Sequence, residues 1–167
     1  MKKQLVIIFV KFVAILLIIV GTMLLLQDIG LAEEQSVWIL CDPDSFVCMR
    51  EAPKKTAFAT GGITCGSQLT ADGKRKNSYI HVVDVPAEDD NGWISEQYIV
   101  YDEPKPLYQS ATVVSNGKLA ARKGVNGKVK KWLKPMDQLT VYWWSDEWCL
   151  TNLGYVQSMY LELDGES

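Results

Sequence analysis

Past its N-terminal apolar segment, the chain is predicted to be all-β and to hold two small domains built on one plan. The composition is the first reason: aromatic residues, Val, Ile and Thr dominate, and no long 3.6-residue pattern follows the N-terminus, which favours pleated strands over helices. The second is a repeat. The stretch Gly92, Trp93, Ile94, Ser95, Glu96, Gln97, Tyr98, Ile99 returns as Gly154, Tyr155, Val156, Gln157, Ser158, Met159, Tyr160, Leu161. Each copy suits a short strand that ends in a tight turn. Upstream, Gln68, Leu69, Thr70 match Gln138, Leu139, Thr140, and Arg50 matches Arg122. Two copies cannot cap an extended stack, so the repeat reads as a domain duplication with two separately closed cores.

The chain has 167 residues. A domain of about sixty residues buries only ~60% of its unfolded surface, so each core must be dense in large side chains, and the Trp and Tyr content meets that need. Lys2, Lys3 and Lys11 against Asp28 make the N-terminal segment net +2, so the −3 of the whole chain leaves −5 for the remainder. That acidity argues against nonspecific nucleic-acid binding, whose affinity comes from neutralising phosphates.

Residues 1–32 open with lysines, run through an apolar stretch from Leu5 to Leu26 interrupted by Lys11, and finish with Gly30, Leu31, Ala32 before Glu33 and Glu34. This is an apolar helix of export type. The small residues Gly30 and Ala32 suit signal-peptidase cleavage; equally, Leu5 to Leu26 can remain as a membrane anchor with Lys11 reaching the headgroups. Both readings place the remainder outside the membrane.

The elements follow in order. Val37 to Cys41 and Phe46 to Arg50 read as strands around the turn Asp42, Pro43, Asp44, Ser45. Pro53 to Lys55 is a loop, and Gly61 with Gly62 breaks the chain. Gln68 to Ala71 is a strand, Asp72 and Gly73 a turn, Tyr79 to Val85 a strand, and Glu88 to Asn91 an acidic turn. Residues 102–108 carry Pro104 and Pro106 and read as a stiff linker. Ala111 to Ser115 and Lys118 to Lys123 then flank the hairpin signal Asn116, Gly117. A loop around Asn126 and Gly127 follows, with Leu139 to Trp144 and Trp148 to Thr151 as the later strands. The domains are therefore set at 36–101 and 109–163, with a polar tail at 164–167 expected to fray.

Val47, Cys48, Met49, Arg50, Glu51, Ala52, Pro53 resembles the opening of a bacterial SH3-like (SH3b) domain, and Gly, Trp, Ile followed by Tyr, Ile resembles its end. The second copy, Leu119 to Arg122, Leu139 to Val141, Trp148, Gly154 to Val156, Tyr160 and Leu161, is similar. The likeness covers nearly all of the chain after the export segment. Cys48 stands where the family usually has Asn, and Lys123, Gly124 replace its usual small residue and Pro. The resemblance implies two tandem five-to-six-stranded barrels serving as binding modules at the bacterial surface, for peptidoglycan peptides or partner proteins. It transfers no ligand residue.

The residues offer little for catalysis. His81 lies mid-strand with no catalytic cysteine loop nearby, the consecutive acids Glu88, Asp89, Asp90 read as a solvated turn, and no Gly-rich phosphate loop stands between a strand and a helix. Cys41 and Cys48 are too widely spaced for a metal knuckle, and no cofactor or metal is expected. Outside the membrane, a disulfide among Cys41, Cys48 and Cys65 is possible with its pairing open, Cys149 being alone in the second copy. The alternative is that all four are buried thiols.

Binding leaves better traces. Tyr142, Trp143, Trp144 and Trp148 crowd one hairpin, and strand alternation puts Trp143 opposite Tyr142 and Trp144. They cannot all be core, so Trp144, with Tyr142 beside it, is the expected exposed ring; in the competing arrangement Trp144 packs against the first domain. Lys118, Arg122, Lys123, Lys128, Lys130, Lys131 and Lys134 follow one another with no acid between them, making a local positive field or simply a solvated loop. The candidate ligand site is thus Trp144, Tyr142, Trp132, Lys128, Lys130 and Lys131. The expected function is noncatalytic binding of a cell-wall polymer, a peptide or a surface protein on the outer side of the bacterial membrane, by a protein either secreted or anchored. The competing class is a membrane-anchored scaffolding subunit of an envelope complex.

Overall fold

The computed structural model describes residues 33–85 and 91–165. The segment 1–32, read above as an export signal or anchor, the acids Glu88, Asp89, Asp90 and the last two residues lie outside them. Among the described residues no helix is long and apolar enough to cross a membrane. The described residues from Glu34 onward form one compact unit.

The described chain is all-β, with two antiparallel sheets of seven strands each. The first contains β1 (Gln35–Ile39), β2 (Phe46–Arg50), β3 (Ala59–Thr64), β4 (Gln68–Lys76), β5 (Tyr79–Val83), β6 (Asn91–Ser95) and β7 (Ile99–Val100), in the order β3-β2-β6-β5-β4-β1-β7. The second contains β8 (Lys105–Val113), β9 (Leu119–Arg122), β10 (Val129–Leu133), β11 (Gln138–Trp144), β12 (Trp148–Thr151), β13 (Gly154–Gln157) and β14 (Leu161–Leu163), in the order β10-β9-β13-β12-β11-β8-β14. Counted from each sheet's first strand, the two orders are the same. A single 3-10 turn precedes the last strand of each sheet, Glu96–Tyr98 and Ser158–Tyr160.

Alternation along the strands builds two apolar cores. Val37, Ile39, Val47, Met49, Ile80, Val82, Ile94 and Ile99 pack in the first, and Val113, Leu133, Leu139, Val141, Val156 and Leu161 in the second. The matched arginines do the same job in each. Arg50 Nη1 donates to the Ala57 carbonyl at 2.8 Å and Arg122 Nη1 to the Gly127 carbonyl at 2.9 Å, so each strand's last residue ties down the loop that follows it.

Several elements depart from the sequence reading. Gly61 and Gly62, expected to break the chain, lie within β3, where Gly62 pairs with Cys48 and the Phe46 ring covers it. A Cβ on Gly62 would stand 2.8 Å from that ring, so glycine marks a close approach, not a turn. Strand β4 runs through Asp72 and Gly73 as a register shift between Ala71 and Arg75, and the hairpin turns instead at Asn77 and Ser78. Those two carry φ of 52° and 61°, the left-handed pair that a two-residue hairpin turn requires. Strand β8 begins inside the stretch read as a linker. Lys105 and Pro106 pair with Trp144 and Trp143 on one side, while β14 covers β8 only from Ala111 to Val113, so Pro106 sits where the other edge is open. The lysine-rich run contains β10, an edge strand beyond β9. Asp164, the first residue of the tail, is tied to β8: its N–H donates to the Ser110 carbonyl, and its side chain and carbonyl accept from Thr112 and Gln109.

Candidate functional site

A third apolar cluster joins the sheets. Leu40 and Val100 of the first meet Val125, Trp148, Leu150 and Tyr155 of the second, with Trp38, Tyr98, Tyr142 and Trp143 packed around them. Among the described residues, two hydrogen bonds cross this seam. The Tyr155 hydroxyl donates to the Leu40 carbonyl at 2.9 Å, and the Val125 N–H to the Gln97 carbonyl at 2.8 Å. At Gly124 a Cβ would stand 2.7 Å from Gln97 Cβ and 2.8 Å from its carbonyl oxygen, so only glycine lets the backbones approach so closely. Burial pushes the Tyr155 hydroxyl well above the usual phenol range, and Tyr98 upward as well.

Two clefts open beside the seam. The first, about 500 Å³, is walled by Asp42, Phe46 and Tyr98 from the first sheet and its turns, and by Arg122, Lys123, Lys130, Tyr142 and Tyr155 from the second. The second, about 480 Å³, is walled by Arg75, Glu96, Gln97 and Tyr101 on one side and by Lys123, Val125, Asn126 and Lys128 on the other. Lys123 lines both. Within the second cleft, Arg75 is held by Glu96 at 3.3 Å and by the Tyr101 hydroxyl at 2.7 Å. Lys123 and Lys130 are exposed and make no ion pair among the described residues. The first cleft therefore offers cations beside aromatic rings: Phe46 is 62% exposed, and Tyr142 packs against Tyr108 with ring centroids 6.0 Å apart.

This arrangement divides the residues that the sequence grouped together. Tyr142 and Lys130 line the first cleft and Lys128 the second, whereas Trp144, Trp132 and Lys131 line neither. Trp144 does not share a face with Tyr142. A register shift between Val141 and Trp143 interrupts the alternation of β11, so Tyr142 and Trp143 both turn to the seam and Trp144 packs on the core of the second sheet. Trp143 Nε1 is buried without a hydrogen-bond partner among the described residues. Trp148 is part of the seam. Trp132 is 57% exposed on the edge strand β10. Asp42, Phe46, Tyr98, Arg122, Lys123 and Tyr155 are among the cleft residues that sequence reasoning left out of the site. Their signal was indirect: the matched Arg50 and Arg122 fix the equivalent loops, and the loop after Arg122 is the one that meets the first sheet.

The cysteines are free thiols: Cys41 and Cys149 are buried, Cys48 and Cys65 half-buried. Burial pushes Cys149 up to about 12. His81 holds its Nδ1 2.9 Å from Asp72 Oδ2 and its ring edge-on to Trp93. Among the described residues no group of three His, Cys, Asp or Glu side chains is gathered as a metal site.

Neither a protein-family model nor a curated protein matches the chain. Solved structures similar to it include NlpC1 from Trichomonas vaginalis, with 13% identity and a TM-score of 0.34 over 80% of this chain and 47% of that one. NlpC2 from the same organism gives 10% identity and 0.33 over 78% and 48%. A putative autolysin from Listeria monocytogenes gives 10% identity and 0.28 over 79% and 63%. The chain thus spans about half the length of the first two and less than two thirds of the third.

Proposed function

We propose that the protein is a noncatalytic binding module of the bacterial cell surface, built from two tandem SH3-like copies, and that it holds an anionic cell-wall polymer or peptide in the cleft beside their seam. The observation that carries this reading is the wall of that cleft. Arg122, Lys123 and Lys130 stand on one side of a concavity that also presents Phe46, Tyr98 and Tyr142. Cations attract phosphates or carboxylates, while aromatic faces stack on sugar rings or apolar side chains, so the two together suit a ligand with both. Asp42 on the opposite wall disfavours a ligand that is negative along its whole length and favours one with spaced charges.

Co-sedimentation of the full-length protein with purified bacterial cell wall tests the reading. Retention that falls as salt rises from low to physiological strength is the expected result, because Lys123 and Lys130 are exposed. Retention only when envelope proteins are left on the wall would favour the scaffolding subunit instead.

A further inference from the structure

We propose that Cys41 and Cys65 form a disulfide when the protein meets a thiol-oxidising environment, and that this bond clamps the first sheet's side of the seam. The backbone brings the pair together. Just past the paired part of β1, the Ile39 carbonyl accepts from Gly66 N–H at 2.7 Å, and Ile39 N–H donates to the Ser67 carbonyl at 3.0 Å. This antiparallel contact sets the residue after Leu40 against the one before Gly66. The Cys41 N–H donates to Cys65 Sγ at 3.2 Å, which sets the two cysteines side by side.

The other cysteines are placed elsewhere. Cys48 pairs with Gly62 and alternates with the inward-facing Val47 and Met49, which directs it to the opposite face of β2. Cys149 lies in the core of the second sheet, where it is the only cysteine among the described residues.

The chemistry balances with a disulfide-carrying oxidant, protein or small molecule. Cys65 is the attacking group: the neighbouring Cys41 side chain and the Cys41 N–H that donates to its sulfur lower its pKa, whereas the Cys65 side chain, together with burial, raises that of Cys41. The Cys65 thiolate attacks one sulfur of the oxidant and expels the other as a thiolate, giving a mixed disulfide. Cys41 loses its proton to solvent and attacks Cys65 Sγ, expelling the second thiolate. Two protein thiols are oxidised to one disulfide, and the oxidant's disulfide is reduced to two thiols. Cys41 follows Leu40, whose carbonyl accepts the seam bond from Tyr155, so the covalent link fixes the acceptor's strand end.

The test uses the full-length chain, treated with oxidised glutathione, alkylated without reduction, and digested with trypsin and an Asp-directed protease, which separates Cys41 from Cys48. The expected result is one linked pair, the Cys41 peptide joined to the Cys65 peptide and two hydrogens lighter than their sum, with Cys48 and Cys149 free of any link. Oxidation should also raise the thermal midpoint of the wild type by several degrees and leave that of Cys65→Ser unchanged. A link through Cys48, or complete alkylation of both Cys41 and Cys65 after oxidation, would overturn the proposal.

Discussion

The Tyr155 hydroxyl donates to the Leu40 carbonyl at 2.9 Å, joining the sheets by a buried bond between residues far apart in sequence. Leu40 lies immediately after β1, and Tyr155 is the aromatic residue of the second copy of the repeated stretch. Its counterpart in the first copy, Trp93, is half-buried beside His81. One position of the repeat therefore serves two purposes, a packed ring in one sheet and a fastening in the other.

Removing that hydroxyl leaves a buried carbonyl unpaired. Tyr155→Phe is expected to cost about 1–3 kcal/mol in urea unfolding of the full-length protein. The same group sets an alkaline limit. Because burial raises its folded-state pKa above the usual phenol value of about 10, its contribution is complete below about pH 10 and is lost as pH rises further. The stability gap between wild type and Tyr155→Phe should narrow above that pH; a constant gap would show that the hydroxyl is not buried.

At Gly124 the closeness of Gln97 sets the spacing of the seam. Gly124→Val should push the loop away from Gln97, weaken the Val125 to Gln97 hydrogen bond and cost about 1–3 kcal/mol. Gly117, where an added Cβ meets nothing within 4 Å, is the control position. Amide hydrogen exchange at Val125 should speed up in the first variant and stay unchanged in Gly117→Ala.

Asp72 governs the acid limb of the first sheet. Burial raises its pKa, but hydrogen bonds from Lys74 and His81 outweigh this and hold the carboxyl below its ordinary value. Its contribution is present above the unfolded value near pH 4 and disappears as pH falls through the lower folded value. Asp72→Asn is therefore expected to lose about 0.5–1 kcal/mol at neutral pH, with the deficit vanishing in acid. Denaturant midpoints measured from pH 7 down to pH 2 check this.

Thiol alkylation at pH 8 should separate the cysteines by burial. Half-exposed Cys48 should react readily, whereas Cys149, with its pKa pushed up to about 12 in the core, should react only after unfolding. Modification of Cys149 in the native protein would contradict the packing of the second core.

The sheets were largely legible in the sequence because alternation and the repeated Gly, aromatic, β-branched stretch report directly on strands. Strand β3 was not, since Gly61 and Gly62 look like a break until the Phe46 ring is seen lying over Gly62. Strand β10 was hidden by Lys130 and Lys131, which suit a loop and an exposed edge strand equally well. The seam was the least legible feature. An apolar side chain facing a neighbouring sheet looks the same in sequence as one facing its own core, so Leu150 and Trp148 carried no mark. At Tyr142 and Trp144 the alternation rule itself failed, because a register shift within a strand leaves no signature in residue types.

Lys123 lines both clefts, so reversing its charge bears most directly on the proposed ligand site. Retention of the full-length protein on purified cell wall should drop about tenfold or more in Lys123→Glu, through loss of one charge contact and repulsion of an anionic ligand. Trp132→Ala, outside both clefts, should be retained like the wild type. Equal retention of Lys123→Glu and wild type, with loss confined to Trp132→Ala, would place the binding surface on the exposed edge of β10 and contradict a site beside the seam.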